Sequence, residues 1–165
     1  SLSVISAFSI IKALNLEYLS IKWPNDIYYK DSKLCGILLE AVTRNEIECL
    51  IIGIGLNVNQ REFVGEYKRT PTSLYKITNQ TQDMRILKDK IFNQLYNDFM
   101  KVKEGYDFYN DIKEYDYLKD REVYAEINNE VKQIKVLGID SDYSLKVLQD
   151  NKTYNLSSGE VTFHL

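Results

Sequence analysis

The sequence predicts an α+β fold in which a mixed sheet packed with helices is followed by a small β-barrel. The first observation is that strand-like runs and two helical patterns share residues 1–116. The second is that residues 117–165 contain five short strand-like runs and no helical pattern. Because the pattern changes at this point, we place a domain boundary between residues 116 and 117. The total of 165 residues suits one medium domain plus a small module.

The first half alternates helices with hairpins. Apolar residues at helical spacing predict a mostly buried helix over residues 2–15 and a long amphipathic helix over 82–105. The predicted strands are 18–22, 27–29, 34–42 and 47–58. The last of these is almost continuously apolar, so we expect it at the centre of the sheet with both faces buried.

Loops and turns separate the remaining elements. Residues 60–73 are polar and carry Gly65 and Pro71, which predicts a loop, and a short helix or connector is expected over 106–117. The turns between the five runs of the second half fall at 128–129, 140–142 and 150–151. Closely spaced strands without intervening helices predict a small antiparallel barrel.

The composition excludes several classes of protein. An apolar fraction of 44% excludes wholesale disorder, and no apolar run approaches the roughly 20 residues that cross a bilayer. No secretory signal is visible, and Cys35 and Cys49 are predicted to be free, buried thiols of a protein in the reducing cytoplasm. A balance of 21 basic and 24 acidic side chains argues against a broad nucleic-acid surface. One histidine and two cysteines are too few for a closed zinc site, and a Ser-His-Asp site would rest on His164 beside the C-terminus.

Lys22 is the first candidate for a functional site. It stands at the end of a predicted strand, before a turn in which Pro24 restricts its own φ and that of Trp23. A cation held with so little backbone freedom can neutralise a carboxylate or a phosphate, and the turn amides and Asn25 can add hydrogen-bond donors. The alternative is a solvated lysine beside a turn, with Trp23 in the core.

A pair of glycine-containing strands is the second candidate. Gly36 lies in one strand, and Gly53 and Gly55 lie two residues apart in the next, hence on one face. Glycine inside a strand leaves no side chain to pack, so these residues predict a bare strip where a ligand can lie against the backbone. A bulge, or close packing of another element, would also explain them. The pattern is not a dinucleotide fingerprint, because no GxGxxG follows.

Two asparagines follow the glycines and form the third candidate. By strand alternation, Asn57 and Asn59 both point to the glycine face. An amide can read the edge of a base through its paired donor and acceptor. A strand-end asparagine that caps a turn is the alternative.

Three linked motifs resemble those of the biotin protein ligases. They are KWPND at 22–26, a G-I-L-x-E strand at 36–40 and G-I-G-x-N-x-N at 53–59, in this order and spacing. The TPTSLY segment at 70–75 is similar to the family's next turn, and GID at 138–140 with SSGEV at 157–161 is similar to its small C-terminal SH3-like barrel. The resemblance implies a class II synthetase-like catalytic domain, of which residues 1–116 are the C-terminal part.

An activity follows from the resemblance. Such a ligase joins biotin to ATP with Mg²⁺, which gives biotinyl-5′-AMP and pyrophosphate. It then passes biotin to a lysine of a biotin carboxyl carrier protein, part of an acetyl-CoA or pyruvate carboxylase. The resemblance also allows a homodimer, whereas no segment of this sequence resembles a DNA-binding region.

The resemblance also assigns roles to residues. Lys22 matches the family's essential lysine, which would hold the biotin carboxylate near the α-phosphate of ATP. Gly36, Gly53 and Gly55 match family positions where the valeryl chain and the acyl phosphate approach the backbone. Leu38 would form the wall of this binding slot. The predicted nucleotide-binding residues are Asn25, Asn57, Phe63 and Glu160. No residue is assigned as a metal ligand.

Parts of the family pattern are not found in this sequence. The family's G-R-G-R-x-G-R loop encloses biotin and phosphate and precedes KWPND, but no such sequence occurs here, and neither do the N-terminal strands or the winged helix of some members. We therefore expect the C-terminal part of a ligase, inactive alone and weak in binding biotin. Two alternatives stay open, a non-catalytic dimerisation or carrier-docking module and a lipoate ligase. The KWPND and GIGLN motifs and the appended barrel favour biotin.

Overall fold

The computed structural model describes residues 2–43, 47–127, 130–157 and 161–164. The helices are α1 (Leu2–Leu14), α2 (Leu74–Thr78), α3 (Met84–Lys103) and α4 (Tyr109–Ile112), which continues into a 3₁₀ turn (Lys113–Tyr115). The strands are β1 (Leu19–Lys22), β2 (Asp26–Tyr29), β3 (Ser32–Thr43), β4 (Ile47–Leu56), β5 (Glu122–Ile127), β6 (Glu130–Ile139), β7 (Leu145–Gln149), β8 (Lys152–Leu156) and β9 (Val161–His164). The predicted long helices and strands are confirmed; only α2 was not indicated by the sequence patterns.

The first sheet is an antiparallel meander in the order β1-β2-β3-β4. Its strands follow one another through short turns, and a chain that turns back directly makes antiparallel neighbours. The expectation of a mixed sheet is therefore wrong for the part of this sheet that the structure describes. A register shift between Ile27 and Tyr28 marks a bulge in the pairing of β2 with β3.

The helices cover one face of this sheet. Helix α1 is buried along nearly its whole length and packs against α3, whose buried face carries Leu87, Ile91 and Leu95. Asp98 of α3 is fully buried and accepts a hydrogen bond from Ser9 Oγ of α1 at 2.9 Å. The helices thus pack against one face of the sheet, and the candidate site lies on the opposite face.

Two expectations about burial are wrong. Strand β4 is the last strand of the described sheet, and its residues from Cys49 to Leu56 alternate between exposed and half-buried, with Ile51 50% exposed, so the expected central position is not found. An apolar run cannot by itself distinguish a central strand from an edge strand. Cys35 is a buried free thiol as predicted, but Cys49 of β4 is exposed.

The second sheet has five antiparallel strands in the order β8-β7-β6-β5-β9. Asp150 and Asn151 form its last tight turn with positive φ values of 49° and 60°, whereas the predicted turn at 128–129 lies outside the described residues. Within the described ranges no pairing closes β8 onto β9. The SH3-like barrel and the boundary between 116 and 117 therefore stay predictions. None of the described helices is long and apolar enough to span a membrane.

Candidate active site

Four residues of the candidate site stand in one row across the first sheet. Lys22 of β1 faces Asp26 of β2, Asp26 faces Gly36 of β3, and Gly36 faces Gly55 of β4. Directly opposed residues of antiparallel strands point to the same face of the sheet. Three strand spacings of about 4.8 Å put the Cα atoms of Lys22 and Gly55 about 14 Å apart. The fold therefore brings the candidate lysine and the glycines onto one surface.

The glycines of β4 are not explained by the packing of the described chain. A Cβ atom on Gly55 would lie 3.5 Å from the Gly36 carbonyl oxygen, and one on Gly53 would lie 3.6 Å from Leu38 Cβ, both ordinary contact distances. Neither glycine has a positive φ, so the backbone does not require glycine there. Both are exposed, and Leu38, directly opposite Gly53, is 59% exposed. Their lack of side chains leaves an open strip that a ligand could fill.

Lys22 is buried rather than solvated, being 8% exposed. Its Nζ atom lies 5.4 Å from the ring centroid of Tyr28 and 5.9 Å from that of Phe163. Burial lowers the pKa of Lys22 to about 8, the nearby Arg69 guanidinium contributes to this, and the Asp26 carboxylate works in the opposite direction. An ammonium that is costly to keep charged here gains stability when an anion binds beside it.

Several cationic side chains lie around this row. The Asp26 carboxylate is held by Lys33, with 2.7 Å between Oδ1 and Nζ, so its charge is largely neutralised. Lys22 and Arg69 are two further cations near the same face. Such an arrangement suits a carboxylate or a phosphate.

The turn after Lys22 is fixed by its own side chains. The Trp23-Pro24 peptide bond is cis, Trp23 is buried, and its Nε1 donates to the Tyr143 carbonyl at 2.9 Å. Asn25 Nδ2 donates to the Ile37 carbonyl at 2.7 Å, and the Ile37 N–H donates back to the Asn25 carbonyl at 2.9 Å. Asn25 therefore fastens the turn to β3, and its predicted contact with a nucleotide stays a prediction.

An open cleft of about 560 Å³ continues the glycine strip. Its lining includes Gly36, Gly55, Asn57, Phe63 and Arg69. Asn57 Nδ2 donates to the Thr72 carbonyl at 2.9 Å, which ties the 57–73 loop to the end of β4. Phe63 lies on that loop, at the cleft. The predicted nucleotide-binding pair Asn57 and Phe63 is thus brought beside the glycines.

Asn59 does not share this position. Its Nδ2 donates to the Gln82 carbonyl at 3.0 Å, and its Oδ1 accepts from the Gln82 N–H at 2.9 Å. The prediction that Asn59 points to the glycine face is wrong because β4 ends at Leu56, beyond which strand alternation no longer applies. Glu160 lies outside the described residues.

Comparisons with known proteins agree on one family. The profile of the Biotin/lipoate A/B protein ligase family matches residues 2–57, which contain the whole Lys22–Gly55 row. The bifunctional ligase/repressor BirA of Bacillus subtilis is 38% identical over 86 residues, 48% of this chain and 26% of that protein. A structure of biotin protein ligase from Aquifex aeolicus in complex with biotin and ATP shares 28% identity, covering 99% of this chain and 70% of that chain at a TM-score of 0.85. The chain is thus similar to biotin protein ligases in sequence and in fold.

The match to BirA is partial in length. The BirA of Bacillus spizizenii is 32% identical over 108 residues, which are 60% of this chain and 33% of that protein. The chain therefore spans a third or less of the length of these two relatives. What it shares with the family is at least part of the catalytic domain.

Two cations of this candidate site were missed by the sequence analysis. Lys33 is the first residue of the KLCGILLE run, and Arg69 is in the polar loop, where a single charge carries no pattern. Arg69 Nη2 donates to the Phe163 carbonyl at 2.9 Å, which joins the loop to β9. Only the folded chain shows these cations converging on the Lys22 row.

Proposed function

We propose that the protein is a biotin protein ligase that activates biotin with ATP and transfers it to a lysine of a biotin carboxyl carrier protein. The observation that carries this proposal is the row of Lys22, Asp26, Gly36 and Gly55. It sets a buried cation beside an open strip of backbone. The Aquifex aeolicus relative binds biotin and ATP, which supports the same pair of substrates here.

In the first step, a carboxylate oxygen of biotin attacks the α-phosphorus of ATP. The bond from that phosphorus to the bridging oxygen breaks, and pyrophosphate leaves with the electron pair. Lys22 holds the carboxylate against the phosphate and offsets the negative charge that builds up there. A positioned group of this kind contributes about 3–4 kcal/mol of transition-state stabilisation.

The substrate lies along the sheet in this proposal. The valeryl chain of biotin follows the strip at Gly53 and Gly55, with Leu38 as its wall. The adenosine part enters the cleft, where Asn57 faces the base and Phe63 covers it. In the second step, the carrier lysine attacks the acyl carbon, AMP leaves, and the amine nitrogen loses a proton.

Mg²⁺ does not fit a dedicated protein site here. Within the described ranges, no group of three His, Cys, Asp or Glu side chains could hold a metal ion, and Asp26 is already paired with Lys33. Mg²⁺ commonly keeps its waters and binds through substrate phosphates. Mg²⁺ would therefore enter the site with ATP, as part of that substrate.

Further parts of the proposal concern the rest of the protein. We propose that residues 117–165 form an SH3-like module. We also propose that the carrier protein is a subunit of a biotin-dependent carboxylase. A homodimer and a cytoplasmic location are also proposed, the latter because both cysteines of the chain are free. The inactivity of this chain alone stays a prediction.

Biotin-dependent exchange of labelled pyrophosphate into ATP tests the proposal in the full-length protein. We expect exchange with biotin and at least about tenfold less with lipoate, since a pocket shaped for one acid discriminates by a few kcal/mol. Preference for lipoate would make the protein a lipoate ligase. Exchange with neither acid would contradict the proposal and would favour a docking or dimerisation module.

A further inference from the structure

The ammonium of Lys22 is enclosed by two aromatic rings from different sheets. Tyr28 of β2 approaches it from the first sheet, at 5.4 Å from ring centroid to Nζ. Phe163 of β9 approaches it from the second sheet, at 5.9 Å. A cation within about 6 Å of a ring centroid is attracted by the negative face of the ring. The second sheet therefore supplies one of the groups that surround Lys22.

Phe163 is held in place by several groups of the first half of the chain. Arg69 Nη2 donates to its carbonyl oxygen at 2.9 Å. Trp23 stands edge-on to its ring, with 6.3 Å between the centroids and 81° between the planes. The same Trp23 donates to the Tyr143 carbonyl in the turn before β7. These contacts fix the Phe163 ring relative to the residue that follows Lys22.

The strand that carries Lys22 is also tied to the beginning of the second sheet. The Tyr117 N–H donates to the Ile21 carbonyl at 2.9 Å, one residue before Lys22. Asp116 accepts from the Leu118 N–H at 2.9 Å and from the Ile139 N–H of β6 at 2.8 Å. The Ile21 backbone and the Trp23 side chain, one on each side of Lys22, are thus joined to the second half of the chain, so a displacement of the second sheet would move the Lys22 side chain.

On these contacts, and resting on the proposed function, we propose that Phe163 is a positioning residue that holds the Lys22 ammonium over the glycine strip. A ring stabilises the charged form of the side chain, whereas an aliphatic group at the same place would only remove water from it. Among the residues that the structure describes, the charged groups that influence Lys22 are Asp26, Lys33 and Arg69. Because Asp26 is paired with Lys33, its attraction for the Lys22 ammonium is weakened. The aromatic rings therefore supply a part of the stabilisation that offsets the cost of burying the Lys22 charge.

The test compares Phe163→Leu with Phe163→Tyr, which keeps the ring. The control is Tyr154→Leu, which removes a half-buried aromatic residue of the same sheet whose hydroxyl donates to Gln149. We expect Phe163→Leu to lower kcat for biotinyl-5′-AMP formation about tenfold with little change in the KM of biotin. Phe163→Tyr and Tyr154→Leu should both stay within about twofold of the parent.

A second readout does not depend on activity. The side-chain NMR order parameter at Lys22 Cε, assigned through the spectrum of Lys22→Arg, should fall below about 0.6 in Phe163→Leu and stay higher in Phe163→Tyr. If Phe163→Leu does not fold, as judged by far-UV circular dichroism, Phe163→Met replaces it. Unchanged Lys22 order in the ring-free variant would overturn the inference. A lower Lys22 order parameter in Phe163→Leu would support the positioning role even if the full-length protein makes no adenylate. The absence of adenylate would in that case reject the ligase proposal instead.

Discussion

Lys22→Met should lower the rate of biotinyl-5′-AMP formation by roughly 100- to 1,000-fold. The substitution keeps an apolar stem of similar length and removes only the charge that would hold the biotin carboxylate and offset the charge at the α-phosphate. The same variant should unfold at a higher temperature. Burial has lowered the pKa of Lys22 to about 8, so the folded state binds this proton more weakly than the unfolded chain does.

The sign of the stability effect follows from that pKa. Below pH 8 Lys22 is charged in both states, and the cost of burying the charge is fully present; the cost falls as pH rises from about 8 to the ordinary value of 10.5 and is absent above it. Removing the charge at pH 7 should therefore raise Tm by at least about 2 °C. Lower activity together with higher stability is the pattern expected for a side chain retained for function.

Lys30→Met is the matched control for this experiment. Lys30 lies in the turn after β2 and also contacts two rings, Tyr18 at 5.2 Å and Tyr29 at 5.5 Å. It is exposed, and it follows the end of β2 opposite to Asp26, the residue that faces Gly36. Adenylate formation should be unchanged in this variant. Lys22 would have no role in the mechanism if both variants lost adenylate formation equally. The same conclusion would follow if Lys22→Met formed the adenylate within threefold of the parent rate.

Gly55→Val should weaken biotin binding by the full-length protein at least about tenfold. The new Cβ would rest 3.5 Å from the Gly36 carbonyl oxygen, an ordinary contact, so the strand can accept it without rearrangement. The two methyl groups would then occupy the strip where the ligand is proposed to lie. A β-branched residue also suits a strand better than glycine does, so Tm should not fall.

Ile51→Val controls for a change on the same strand. Ile51 stands on the glycine face, four residues before Gly55, and is half exposed, so it lies beyond the row with Lys22. Calorimetric titration with biotin should show parental affinity for this variant. Parental affinity for Gly55→Val as well, in a protein that folds normally, would contradict a ligand path over the glycines.

The parts of the site that the sequence predicted are those fixed by local geometry. Side chains alternate strictly along a strand, and the short turns set the register. For this reason the common face of Gly53 and Gly55 was predicted from their spacing, whereas the placement of Lys22 and Gly36 in the same row became visible only from the strand pairing. The position of Asn59 was predicted wrongly because the alternation of side chains ends with β4 at Leu56.

The parts that the sequence did not predict depend on contacts between distant segments. Arg69 lies in an irregular loop, and Phe163 reaches Lys22 only because the second sheet packs against the first. No periodicity reports such a contact. Likewise, the apolar run of β4 could not show whether a further strand pairs with it, and Cys49 is exposed on that edge strand.

The most direct measurement is an NMR titration of Lys22 in the full-length protein, with and without a non-hydrolysable analogue of biotinyl-5′-AMP. In the free protein we expect a pKa of about 8. With the analogue bound, we expect that pKa to rise by at least about one unit, because a phosphate or carboxyl group beside the ammonium favours its charged form. A Lys22 pKa near 10.5 in the free protein, or one that the analogue leaves unchanged, would contradict the role proposed for this buried cation.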